Sequence, residues 1–105
     1  MAFSFLTQEI AMDLGTANTV IFRNDDIVMD APSIVAIDNN TGKCIAIGQQ
    51  AKLMHEHTNP GIKTIRPLRN GVIADFNAAE MMIKGFIKQV NNKKRSLFTP
   101  NLKIV

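Results

Sequence analysis

The stretch "IAMDLGTANTVIF", Ile10 to Phe22, constrains the fold more than any other part of the sequence. Two apolar, β-branched runs flank four small residues, Gly15-Thr16-Ala17-Asn18, with a carboxylate, Asp13, just before them. Runs this short and this close read as two strands, residues 9–13 and 19–23, folded back on each other. The loop between them has a second possible use. A tight loop that points successive N–H groups into one concavity binds anions without a positive side chain. Gly15 lets the backbone come close, and Thr16, Asn18 and Thr19 add side-chain donors. Asp13 would repel a phosphate directly, so its sensible role is through a hydrated Mg²⁺. On these residues alone an ordinary hairpin turn is the favoured reading, because Asp, Gly and Asn are common turn residues.

The rest of the first half extends this pattern. "NDD" reads as a turn, residues 27–30 as a third strand, and Pro32 as a break or an edge. Residues 33–38 form a fourth strand, "NNTG" a turn, and residues 43–48 pair back, giving two hairpin systems. Residues 49–57 read as a short helix with Ala51, Leu53 and Met54 on its apolar side. Pro67 and the Asn70-Gly71 turn punctuate the extended piece that follows. The strongest helix comes next: Ala79, Met82, Ile83, Phe86, Ile87 and Val90 follow the spacing of one amphipathic face. Asn77 with Glu80 resembles a capping box, and Asp75 is a rival cap. Lys84 and Lys88 suit the C-terminal end of a helix dipole, and Gly85 permits close packing. Residues 91–100 read as a loop and residues 101–105 as the start of a strand. A strand after a crossover helix is half of a βα unit whose continuation is the rest of a sheet.

A chain of 105 residues with 46 % apolar content makes one small domain of modest stability. The single cysteine, Cys44, forms no internal disulfide; it reads as a small half-buried apolar residue in a reducing compartment. No His lies in its local stretch and no thiol motif surrounds it, so a catalytic thiol is disfavoured. His55 and His57 face different ways on a helix and have no third ligand nearby, which disfavours a metal site. No run is long enough to span a membrane, and the start lacks the basic region and cleavage site of a signal peptide. The net charge of +3 is asymmetric: residues 84–105 hold six of the twelve Lys/Arg and none of the nine Asp/Glu. That basic tail points to an anionic surface, or to a solvated helix end and loop.

The segments "MDLGTANTVIF", "APSIVAID", "IGQQAKLM" and "IRPLRNGVIADF" resemble, in order and spacing, the MreB family of bacterial actin-like rod-shape-determining proteins. The resemblance runs from about Glu9 to Val105. Other members of the actin, Hsp70 and sugar-kinase superfamily share only the Asp-x-Gly-Thr/Ser core of the loop. The resemblance implies an α/β fold of the actin-like ATPase, ribonuclease H-like class, present as a partial first lobe. Residues 1–32 and 71–105 would begin its core subdomain, and residues 33–70 would form a small upper subdomain. It implies ATP and Mg²⁺ as cofactors, with Gly15, Thr16, Ala17, Asn18 and Thr19 lining the phosphate loop and Asp13 serving the metal through water. The implied protein self-assembles into filaments on the inner membrane face, meets cell-wall synthesis and shape proteins, and binds no nucleic acid.

The family's second phosphate loop, its water-positioning glutamate and its adenosine pocket have no counterpart here, so the chain reads as an N-terminal fragment without turnover of its own. Ala31 stands where the family usually has Glu, and Asn70 where it usually has Asp. Members of the family insert an N-terminal amphipathic segment or a small apolar loop into lipid. Here Phe3, Phe5 and Leu6, and Leu97 and Phe98 beside Lys93, Lys94 and Arg95, match that chemistry. The competing readings are a lobe of an Hsp70-type chaperone or sugar kinase, and a stand-alone membrane-surface module without nucleotide chemistry.

Overall fold

The computed structural model describes residues 3–6, 10–57 and 59–98, of which 3–6 and 93–98 as backbone only. Its first unit is an antiparallel meander: β1 (Phe3–Leu6), β2 (Ile10–Leu14), β3 (Asn18–Arg23) and β4 (Asp26–Pro32), paired in that order. The β2–β3 register sets Asp13 opposite Val20 and Leu14 opposite Thr19. Side chains alternate across a strand, so Met12 and Leu14 on β2 and Thr19 and Ile21 on β3 share the buried face. Asp13 falls out of phase with them and is only partly buried.

The second unit has three strands in the order β6-β5-β7, from β5 (Val35–Asp38), β6 (Cys44–Ile47) and β7 (Ile62–Ile65). Between β6 and β7 runs α1 (Gly48–Glu56). Ile34, Ala36, Ala46 and Ala51 form a small core beneath it. A two-stranded hairpin follows, β8 (Leu68–Arg69) and β9 (Val72–Ile73), whose turn residues Asn70 and Gly71 both have positive φ, 53° and 79°. This left-handed pair is the turn that matches a hairpin's twist, so Asn70 in place of the usual Asp leaves the backbone intact.

The long helix α2 (Phe76–Phe98) closes the structure. Met82, Phe86 and Val90 are buried against Met12, Leu14 and Ile21 of the meander and Val35 and Ile37 of β5, so one cluster joins both sheets. Each such side chain withdrawn from water stabilises by about 1.5–3 kcal/mol. At Gly85 an added Cβ would run into Ile47 Cδ1, which is the close packing that glycine permits. Asp75, not Asn77, caps the helix: its Oδ1 accepts from Ala78 N–H at 2.9 Å and its carbonyl from Ala79 N–H at 3.0 Å.

Three other expectations are corrected. Residues 91–98 continue α2 rather than forming a loop. "NNKKRSLF" contains no Gly or Pro, and only the proline at 100 disfavours helix, through the residue before it. Cys44 is exposed, not half-buried, because it opens β6 at the sheet edge. Leu53 is 45 % exposed: α1 packs through Gly48 and Ala51, and a residue two positions from Ala51 turns to another face. Residues 3–6 pair with β2, with Phe5 opposite Met12. The strand expected over 101–105 lies outside the described residues.

Candidate functional site

The β2–β3 loop is held by residues far away in sequence. Gly15 N–H donates to Asn18 O at 3.0 Å, which closes the loop on itself. A Cβ at Gly15 would stand 2.6 Å from that same oxygen, so no other residue fits without moving the backbone. Ser33, fully buried, then stitches the loop from below. Its N–H donates to Ala17 O at 2.8 Å and its hydroxyl to Gly15 O at 2.7 Å. The Thr19 hydroxyl lies 2.8 Å from Ser33 Oγ. A hydroxyl carries one proton, and that of Ser33 goes to Gly15, so Thr19 is the donor in this pair. Thr19 is also fully buried. Its hydroxyl therefore supports the loop from inside and is not presented at the loop's mouth, as the sequence reading had it.

This stitching sets where the amides point. The peptide bonds are trans, so a carbonyl and the following N–H face opposite ways. Gly15 O drawn to Ser33 turns Thr16 N–H away from Ser33, and Ala17 O drawn to Ser33 does the same for Asn18 N–H. Among the described residues the Thr16 and Ala17 N–H groups have no protein partner, and both residues are exposed. Thr16 Oγ1 accepts from Gly71 N–H at 2.8 Å, which ties the β8–β9 turn to the loop and leaves the hydroxyl proton free to donate outward. Asn18 Nδ2 donates to Asp30 Oδ1 at 3.1 Å.

The arrangement offers outward amides, one hydroxyl and, at the end of β2, one partly buried carboxylate, Asp13. No cluster of three or more His, Cys, Asp or Glu able to hold a metal occurs among the described residues. A cation here would take Asp13 together with oxygens from water and a bound phosphate, which is how Mg²⁺ is commonly held. His55 and His57 are exposed, and His55 Nδ1 lies 2.6 Å from Thr64 Oγ1. Ser33 is the residue that sequence reasoning missed. Its signal is a small hydroxyl between Pro32 and a buried apolar run.

The other sequence-derived candidates lie elsewhere. Phe3, Phe5 and Leu6 are on β1, on the far side of β2 from β3. Lys93, Lys94, Arg95, Leu97 and Phe98 are on the last turns of α2, where helical spacing sets Lys94 and Phe98 one turn apart. No described helix is long and apolar enough to cross a membrane.

A family profile described as "MreB/Mbl protein" matches residues 7–105. The cell shape-determining protein Mbl of Bacillus subtilis is 47 % identical over 87 residues, covering 82 % of this chain and 26 % of that protein. The cell shape-determining protein MreB of Haemophilus influenzae is 47 % identical over 91 residues, with the same coverage. Among solved structures, MreB5 of Spiroplasma citri bound to ADP superimposes with a TM-score of 0.68 at 35 % identity, over 78 % of this chain and 25 % of that one. The same protein bound to AMPPNP gives 0.64 at 39 %, over 70 % and 22 %. The chain thus spans about a quarter of the length of the relatives it matches. Its mixed α/β structure is part of an actin-like lobe, and the chain belongs to the MreB/Mbl family of cell shape-determining proteins.

Proposed function

We propose that the loop from Gly15 to Asn18 is the first half of a phosphate clamp in an ATP-binding, filament-forming protein of rod-shape determination. The observation that carries this reading is the Ser33 stitch, which draws the Gly15 and Ala17 carbonyls inward and turns the Thr16 and Asn18 amides away from Ser33, in a loop whose Thr16 and Ala17 amides have no protein partner among the described residues. An ordinary hairpin turn needs no such support. The ADP and AMPPNP held by the structural neighbours agree with it. Thr16 and Ala17 would hold phosphate oxygens through their amides, Asn18 would shape the loop through Asp30, and Thr19 would brace it. Asp13 would hold Mg²⁺ through water, and the metal would supply charge neutralisation at the phosphates.

The reading extends to the whole protein. Residues 1–32 and 71–105 belong to the core subdomain and 33–70 to the upper one. Self-assembly takes place in the cytoplasm at the inner membrane face, with wall-synthesis and shape proteins as partners. Phe3, Phe5, Leu6, Leu97 and Phe98, with Lys93, Lys94 and Arg95, are the residues this reading assigns to lipid binding. Apolar residues at a helix end beside three basic ones suit weak interfacial binding.

The test is equilibrium binding of Mg²⁺-ATP to a full-length family chain carrying this sequence, with and without Gly15→Val. The substitution should abolish binding in a protein that still shows its native circular dichroism. Unchanged affinity would mean that the loop is only a turn.

A further inference from the structure

A groove of about 490 Å³ opens beside the loop. Thr16, His55, Thr64, Arg66, Arg69 and Asn70 supply its polar lining, with the buried side chains of Ile34 and Leu68 behind them. Thr16 thus belongs both to the loop and to the groove wall. Among the described residues no carboxylate lines the groove. The ion pair found among the described residues, Lys84–Glu80, is on α2, so neither Arg66 nor Arg69 has a carboxylate partner among them.

The backbone that carries these arginines is closely held. Arg66 lies between β7 and Pro67, whose carbonyl accepts from both Ala74 and Asp75 N–H at 2.8 and 3.2 Å. Arg69 sits on β8 opposite Val72, one residue before the turn that Gly71 N–H ties to Thr16. On the α1 side, His55 is joined to Thr64. Two arginines on a constrained frame, lining a space that no described carboxylate lines, suit an anion subsite of the kind at which arginine meets phosphate oxygens in pairs.

We propose that this groove is a second phosphate subsite, continuous with the loop through Thr16 and working by the opposite means. The loop meets an anion with neutral amides beside acids, Asp13 and Asp30. The groove meets it with unpaired arginine charge. The proposal deepens the nucleotide reading and rests on it for the identity of the ligand class, a phosphate-bearing molecule. A small anion is favoured over an acidic protein segment because the shared wall is the phosphate loop's own Thr16.

The experiment is a nitrogen-15 NMR titration of the chain with magnesium pyrophosphate. Saturable shifts at the Arg66 and Arg69 Nε–H signals are expected. Arg66→Gln and Arg69→Gln should each weaken binding by roughly threefold to tenfold. Added salt should erode the arginine shifts more than those at the Thr16 and Ala17 amides, because exposed charges are screened. Shifts at Thr16 and Ala17 without any at the arginines would overturn the groove and leave the loop standing. Arginine shifts without loop shifts would uphold the groove and count against the loop. A poly-glutamate peptide that moves the arginine signals while pyrophosphate does not would assign the groove to an acidic protein segment and overturn the proposal.

Discussion

Two turns of the same meander make the comparison from which the function of this chain is argued. The β3–β4 turn is Asn24-Asp25, with both residues at positive φ, 52° and 70°. It is exposed and followed by a second acid, Asp26. Among the described residues no side chain from elsewhere in the chain bonds to it. The β2–β3 loop is one strand away and of similar length, yet residues 18 and 55 positions distant in sequence converge on its members through Ser33 and Gly71. The difference teaches that a turn needs only two residues with the right dihedrals. A loop that presents unpaired amides needs outside groups to hold its carbonyls.

The largest expected effect that would break this contrast is at Gly15. Gly15→Val forces a side chain onto Asn18 O and should destabilise the chain by about 3 kcal/mol, the upper range for overpacking, as read by thermal unfolding. Next is Ser33→Ala, which leaves the Gly15 carbonyl and the buried Thr19 hydroxyl without partners. A cost of about 2 kcal/mol is expected. Thr19→Val on the Ser33→Ala background should then add little, since the group it removes is already unsatisfied; full additivity in this double-mutant cycle would show that the two hydroxyls are not coupled.

A smaller effect should come from Thr16→Val, about 1 kcal/mol, with faster hydrogen exchange at the Gly71 amide that loses its acceptor. The smallest is the control on the plain turn. Asn24→Gly keeps the left-handed dihedral and should change stability by no more than about 0.5 kcal/mol. A cost there equal to that of Ser33→Ala would erase the distinction between the two turns.

Much of this was legible in the residues. The strands, the Asn70-Gly71 turn and the buried face of α2 follow from period-two and period-3.6 patterns. The inward position of Thr19 was also available in principle, because Thr19 is in phase with Ile21. Hydroxyl chemistry drew attention to its donor capacity instead. The hydroxyl of Ser33 beside Pro32 is visible in the sequence but its bracing role is not, because that role depends on β4 returning alongside β3, with Asn18 opposite Pro32, and such pairing is a tertiary fact. Leu53 and Cys44 were misjudged for a related reason. Local hydrophobicity does not reveal which face of a nine-residue helix meets a sheet, or which strand becomes the edge. The end of α2 differs from the expected loop because residues 91–98 contain no Gly or Pro and so nothing that breaks a helix.

The central claim is that the loop holds nucleotide phosphates with Asp13 serving the metal. The most direct test is Mg²⁺-ATP turnover by a full-length family chain carrying this sequence, compared with its Asp13→Ala variant. Asp13 is only partly buried and makes no hydrogen bond or ion pair through its side chain among the described residues, so the variant should keep its fold and its melting transition. The account predicts that turnover falls to background in this folded variant, while Asn24→Gly hydrolyses ATP normally. Normal hydrolysis by Asp13→Ala would contradict it.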